Sequence, residues 1–208
     1  MTPLAKIDFK KALPGLYATP RDRFVPVDVP AMQFVMVDGA GDPNTASAYK
    51  QALEWLYSTS YAMKFAARAA GRRDYVVPPL EGLWWAEDPA DFVARRKDRW
   101  HWTMMIMAPD CVGRPLFEAA VEKAKKKFGA PPPSLRFEHF DEGRCLQILH
   151  IGSYDDEAPT LAKLHDEVMP SQGLTFAGHH HEIHLSDPRR TEPAKLKTLL
   201  RQPVKPAR

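Results

Sequence analysis

The chain has 208 residues, 44% hydrophobic and 26% charged, which is the composition of a folded globular protein and excludes a disordered or fibrous one. A formal net charge of +3, with the basic residues dispersed, is not the signature of a nucleic-acid-binding protein, and two cysteines, Cys111 and Cys145, do not make a disulfide framework. No apolar run reaches membrane-spanning length and no charged-then-apolar leader opens the chain, so the expectation is a cytoplasmic protein with both thiols reduced.

Along the chain, residues 1–22 carry charges and prolines and read as an irregular arm on the surface. Arg23 to Val29 and Gln33 to Val37 are strand signals broken by Pro30. Asp42-Pro43-Asn44-Thr45 opens a helix that should run to Ala70 and stop at Gly71, with Tyr49, Leu53, Leu56 and Met63 at helical spacing. Asp74 to Val77, Leu80 to Ala86 and Arg99 to Ala108 are extended. Arg114 to Phe128 is an amphipathic helix whose Lys123, Lys125, Lys126 and Lys127 read as a solvated helix end, where cations suit the macrodipole. Pro131-Pro132-Pro133 is a stiff linker. Leu135 to Phe140 and Arg144 to Ile151 read as a hairpin across Asp141-Glu142-Gly143. Pro159 to Met169 is a short helix, Leu174 to Leu185 the last strand region, and Glu192 to Leu200 a helical segment before the closing prolines.

The two halves echo each other. Phe34 to Gly39 leads through an acidic turn into a helix, and so does Ile148 to Gly152 through Tyr154-Asp155-Asp156-Glu157; a later strand in each carries a glutamate before apolar residues, Glu81 and Glu182. The expectation is an α+β fold of two repeated strand-helix-strand-strand modules, forming one antiparallel sheet with two long helices and a central groove. A single domain over 1–208 would comprise the arm at 1–22, a first module at 23–130, a second at 134–187 and a tail at 188–208, with Glu81 and Glu182 as pseudo-symmetric partners.

Two constellations carry chemistry. Trp84 and Trp85 are adjacent on one strand and point to opposite faces, whereas Trp100 and Trp102 share a face; the pattern leaves Trp84 and Trp102 divided between core and pocket lining. In His179-His180-His181-Glu182-Ile183-His184, strand alternation puts His180, Glu182 and His184 on one face. That set has three readings: a metal site, a solvated polar face, or a carboxylate projecting into a pocket, where burial would raise its pKa. Glycine-rich phosphate loops and nucleophile elbows are lacking.

Several strings resemble the GyrI-like (gyrase-inhibitor-like) small-molecule-binding family, and among its members the stand-alone bacterial proteins of about this length. They are Lys6 to Lys11, Asp38-Gly39 with Gly41 to Asn44, Pro79 to Trp85, Trp102 to Met107, His150-Ile151-Gly152, Glu182 with Leu185 to Arg190, and Lys195 to Val204. The resemblance implies planar, lipophilic and often cationic ligands, no cofactor or metal, and no direct contact with DNA or membrane, in a monomer or homodimer. It also implies hydrolysis of the strained cyclopropane of DNA-alkylating compounds inside an aromatic cage. Carried onto this chain, Glu182 and His184 would be catalytic, with Trp84, Trp102, Tyr61, Phe65, Tyr154 and Glu81 at the ligand. The family usually has tyrosine where this chain has His184.

Overall fold

A computed structural model of the chain describes residues 5–207. Its elements in order are β1 (Lys6–Ile7), α1 (Phe9–Ala12), α2 (Pro14–Tyr17), β2 (Val25–Val29), β3 (Met32–Ala40), α3 (Ser47–Ala69), β4 (Asp74–Tyr75), β5 (Leu80–Ala86), α4 (Pro89–Val93), β6 (Trp100–Ala108) and α5 (Arg114–Phe128). Then follow β7 (Arg136–Phe140), β8 (Gly143–Ile151), α6 (Ala158–Lys163), a π-turn over Leu164–Val168, α7 (Met169–Ser171), β9 (Leu174–Phe176), β10 (His180–His184) and β11 (Lys197–Pro206).

The long helix forms because its apolar residues satisfy the helical period twice. Ala52, Leu56, Met63 and Ala67 make one buried stripe against β3 and β6, Trp55 is buried beside Phe128 of the later helix, and Gly71, in the left-handed region at φ 67°, stops the helix beyond Ala70. It begins at Ser47 instead of the expected Asn44-Thr45, because Asp42 turns its carboxylate onto the backbone of Asn44 and holds that stretch as a separate turn.

Strands β2, β3, β5, β6, β7, β8, β10 and β11 form one antiparallel sheet ordered β2-β8-β11-β10-β5-β6-β3-β7, with β9 added beside the end of β11; β1 and β4 form a separate parallel pair. The order is symmetric about the β10–β5 seam. The repeat β3-α3-β5-β6 contributes one half, and β8, α6 with its continuation, β10 and β11 contribute the other, as the duplicated sequence pattern implies. Only two residues join β2 to β3, and only two join β7 to β8, although each link connects opposite ends of the strand order. Three Cα steps reach about 11 Å at most. The sheet therefore curls until its ends approach.

Three segments differ from their sequence signals. Residues 135–151 do not form a hairpin: β7 pairs with β3, and β8 with β2 and β11. The intervening Glu142 is buried against His181 and Arg201, and that contact draws the chain across the gap between the two ends. Residues 197–206 are not helical but form β11, a central strand, because Leu199, Leu200 and Val204 fill the core. Its Pro203, which has no N–H to give, falls between the span paired by β10 and that paired by β9. The expected surface arm is instead a plug. Phe9 and Leu13 pack, and Leu16 and Tyr17 are buried, against the sheet face opposite α3.

That face also holds a chain of buried charges. Tyr17 donates to Glu81 Oε1 (3.3 Å), His181 bridges Glu81 (3.1 Å) and Glu142 (2.7 Å), and Arg201 reaches Glu142 (3.1 Å), the Gln147 amide oxygen (3.2 Å) and the Leu16 carbonyl (2.7 Å). Burial alone would depress His181, but the two carboxylates lift it to about 9; burial would raise Glu142, but His181 and Arg201 hold it below the usual carboxylate range. Two anions face two cations, so the cluster is neutral inside an apolar surround. Cys111 and Cys145 are both unpaired, and burial raises both thiols, which makes them unreactive. No helix among the described residues is long and apolar enough to cross a membrane.

Candidate functional site

The face of the sheet that carries α3 opens along the β10–β5 seam into a cavity of about 1510 Å³. A second stripe of α3 forms one wall: Tyr49, Leu53, Tyr57, Tyr61 and Phe65 recur every four residues, beginning beside the core stripe at Tyr49 and winding out to the exposed Tyr61 and Phe65. The start of α6 forms the opposite wall, and Trp84, Glu182 and His184 lie on the floor. The aromatic lining is mutually braced. Tyr49 lies tilted on Trp84 at 6.2 Å, Trp100 stands edge-on to it at 6.0 Å, and Phe92 stacks on Trp100 at 4.8 Å.

Register puts these residues together. On β10, His180, Glu182 and His184 face the cavity side; on β5 their direct partners are Trp84, Gly82 and Leu80. Gly82 has to be glycine, since a Cβ there would stand 2.8 Å from the Trp84 indole nitrogen and 3.0 Å from the Met104 sulfur. The missing side chain lets the indole fold down beside the strand that carries Glu182.

Glu182 is 12% exposed. His180 Nε2 stands 3.6 Å from one carboxylate oxygen and His184 Nε2 3.8 Å from the other. Its carboxyl group also meets that of Glu157, delivered by the short 3-10 turn Tyr154–Glu157. Two carboxylates in contact cannot both stay ionised. Burial and the charge of Glu182 push Glu157 well above its ordinary value. Burial would raise Glu182 too, but His180, His184 and the hydrogen bond from Glu157 keep it low and ionised. The rise expected of Glu182 from burial thus falls on its neighbour. Burial depresses His184 and leaves it neutral despite the adjacent anion. The hydroxyl of Tyr154 lies 3.2 Å from His184 Nδ1; burial and Glu182 push its pKa up to about 12. We assign the phenol as donor to Nδ1, which leaves the Nε2 proton facing Glu182. Where the family's tyrosine was expected on the strand, a phenol thus arrives from the opposite wall.

Of the sequence-predicted residues, Glu182, His184, Trp84, Tyr61, Phe65 and Tyr154 all line the cavity. Glu81 and Trp102 do not. Glu81 is one residue out of phase with Gly82, the true partner of Glu182, so its side chain enters the buried network on the other face. Trp102 is fully buried beneath Tyr49, its ring lying over Gly39 and its Nε1 donating to the Gly41 carbonyl. Glu157, Tyr49 and Tyr57 were missed. The four-residue recurrence along α3 was a legible signal for the tyrosines, and Tyr154 and Glu157 stand at the ends of one 3-10 turn. Among the described residues no grouping of three His, Cys, Asp or Glu side chains could hold a metal ion. A shallower groove of about 460 Å³ lies on the opposite side of β5, where Trp85 stacks on His179 at 4.2 Å and on His101 at 5.7 Å.

Solved structures with this architecture are known. An uncharacterized conserved protein from Listeria innocua is 40% identical, with 96% of this chain and all of that one covered and a TM-score of 0.87. A hydrolase from the same organism is 38% identical over 97% of this chain and all of that one, at a TM-score of 0.85. The EcmrR C-terminal domain, at 11% identity and a TM-score of 0.59 over 89% of this chain and 98% of that one, shares the fold. No curated protein matches the chain. The model of the GyrI-like small molecule binding domain matches residues 26–205. With the match spanning both halves of the sheet and the cavity between its helices, the chain belongs to the GyrI-like small molecule binding domain family.

Proposed function

We propose that the protein binds planar lipophilic xenobiotics, including cationic ones, in the cavity above the β10–β5 seam, and detoxifies cyclopropane-bearing DNA-alkylating compounds in the cytoplasm by hydrolytic ring opening. The observation that carries this reading is an aromatic-walled cavity whose lining brings together two sequestered carboxyl groups, Glu157 and Glu182, with the pKa of Glu157 pushed up and that of Glu182 held down. The identity with a Listeria hydrolase over the whole of that chain supports it.

The chemistry closes on these residues. A flat conjugated ring system lies along the tyrosine stripe and against Trp84, which orients it and displaces bulk water. Water held by Glu182 attacks the strained ring carbon. The carbon–carbon bond breaks, and its electron pair moves to the conjugated carbonyl oxygen. Glu182 takes the proton from water and Glu157 gives its proton to the developing oxyanion. The product is the substrate plus one water, and proton transfer between the paired carboxyl groups restores the starting state. Tyr154 and neutral His184 hold Glu182 in place.

Sequestration without turnover is the second reading, favoured by the low pKa of Glu182, since a weak base activates water poorly. Mass spectrometry of a cyclopropane-fused aromatic enone incubated with the protein separates the two. A product heavier by one water supports hydrolysis. Recovered substrate together with quenched tryptophan fluorescence supports sequestration, and neither change removes both.

A further inference from the structure

The lysine run at the end of α5 is exposed, as a solvated helix end should be, but its members do not all face the same surroundings. Helical phase divides it. Lys125 pairs with Glu122 at 2.5 Å, whereas Lys123 and Lys127, one turn apart and also exposed, flank Ala124 and Phe128 at the edge of the cavity. The ammonium group of Lys127 lies 4.6 Å from the Phe128 ring, which keeps it along the wall. Lys50, in the first turn of α3, lines the same cavity. Other cations of the lining are already ion-paired: Lys97 (3.0 Å) and Arg95 share Asp155, and Arg189 is held by Asp187 at 2.9 Å. Among the described residues Lys50, Lys123 and Lys127 form no ion pair. Glu54, one turn from Lys50, also lines the cavity, so this wall carries three positive charges against one negative.

We propose that this wall, where α3 meets α5, receives an anionic substituent of the ligand, a carboxylate, sulfonate or phosphate, while the aromatic rings lie on the tyrosine stripe. The pocket then prefers a planar aromatic anion to a neutral compound of the same ring system. The proposal rests on the cavity being the ligand site, as argued above. Charge on the helix end alone does not carry it; the unpaired ammonium groups from two helices on one cavity wall do. A helix C-terminus favours lysines wherever they point, but it gives no reason for the two that line the cavity to differ from Lys125 and Lys126 in ligand binding.

The test compares two dyes of one ring system, anilinonaphthalene sulfonate and its sulfonate-free parent phenylnaphthylamine, by fluorescence titration. The variants are Lys123→Gln/Lys127→Gln and, as control, Lys125→Gln/Lys126→Gln. We expect the sulfonated dye to bind more tightly than the parent, to weaken about tenfold in the Lys123→Gln/Lys127→Gln variant, and to weaken with added salt, as partly exposed ion pairs do. The parent dye should be unaffected by either pair. Equal affinity for the two dyes, or an equal loss in the control pair, overturns the anion wall while leaving the cavity reading intact. Failure of the parent dye to bind at all overturns both.

Discussion

At the scale of single residues, the account turns on two glutamates that play unlike parts because their surroundings differ. Glu182→Gln should retain ligand affinity within about twofold and lose at least a hundredfold in turnover, the usual range for a general base. Isothermal titration beside single-turnover kinetics reads both, and undiminished turnover would remove the base role. Glu157→Gln keeps a donor at the site but cannot give up a proton, so it too should bind ligand and fail to turn over. In the native protein the rate should fall at low pH as Glu182 takes a proton and at high pH as Glu157 loses its own, giving a bell-shaped profile; a rate that keeps rising above the ordinary carboxylate range with no alkaline limb would contradict the assignment. Glu182 was legible in the sequence because period-two alternation between histidines marks one face of a strand. Glu157 was not, since it closes an acidic run that also serves as a helix entry, and contact with Glu182 exists only after β8 and β10 are brought near one another by β11. The pairing of Glu81 with Glu182 failed through parity: one residue of register moves a side chain to the other face.

At the scale of elements, α3 serves two surfaces, one stripe for the core and one for the cavity, and β3 supports the arrangement by giving up a side chain. Gly39 pairs with Trp102, and a Cβ at that position would sit 2.1 to 2.7 Å from three atoms of its indole. The ring is fully buried under Tyr49 and has nowhere to move. Gly39→Ala should therefore destabilise the fold by about 3 kcal/mol, read as a lower urea midpoint at unchanged slope; an unchanged midpoint would show that the ring has room. The boundaries of β5 and α5 were legible to the residue, because proline and glycine punctuate them and their periods are unmixed. The segment that becomes β11 was not. Lysines and leucines at mixed spacing carry good helix propensity, and only burial between β8 and β10 selects the extended form.

At the scale of the molecule, one curled sheet carries a cavity on one face and a neutral buried ion cluster on the other, with the N-terminal helices α1 and α2 packed over the latter. That cluster makes stability depend on pH. His181 is raised from 6.5 to about 9 in the folded state, so its contribution is complete below 6.5 and disappears as the pH rises through 9. Glu142 is lowered, so its contribution is present above its ordinary range and disappears as the pH falls. Denaturation midpoints should fall between pH 6.5 and 9 and again in acid; constant midpoints across the alkaline window would contradict the network. The duplicated halves made the overall architecture legible, whereas the curl and the plug were not, because both depend on contacts between distant segments such as Tyr17, Glu81 and Arg201. A crystal structure with a flat aromatic dye bound decides whether ligands enter over the β10–β5 seam. The rings should lie against Trp84 and the tyrosine stripe of α3, within reach of Glu182; rings stacked instead in the groove at Trp85 and His179, with the cavity unfilled, would place the ligand site elsewhere.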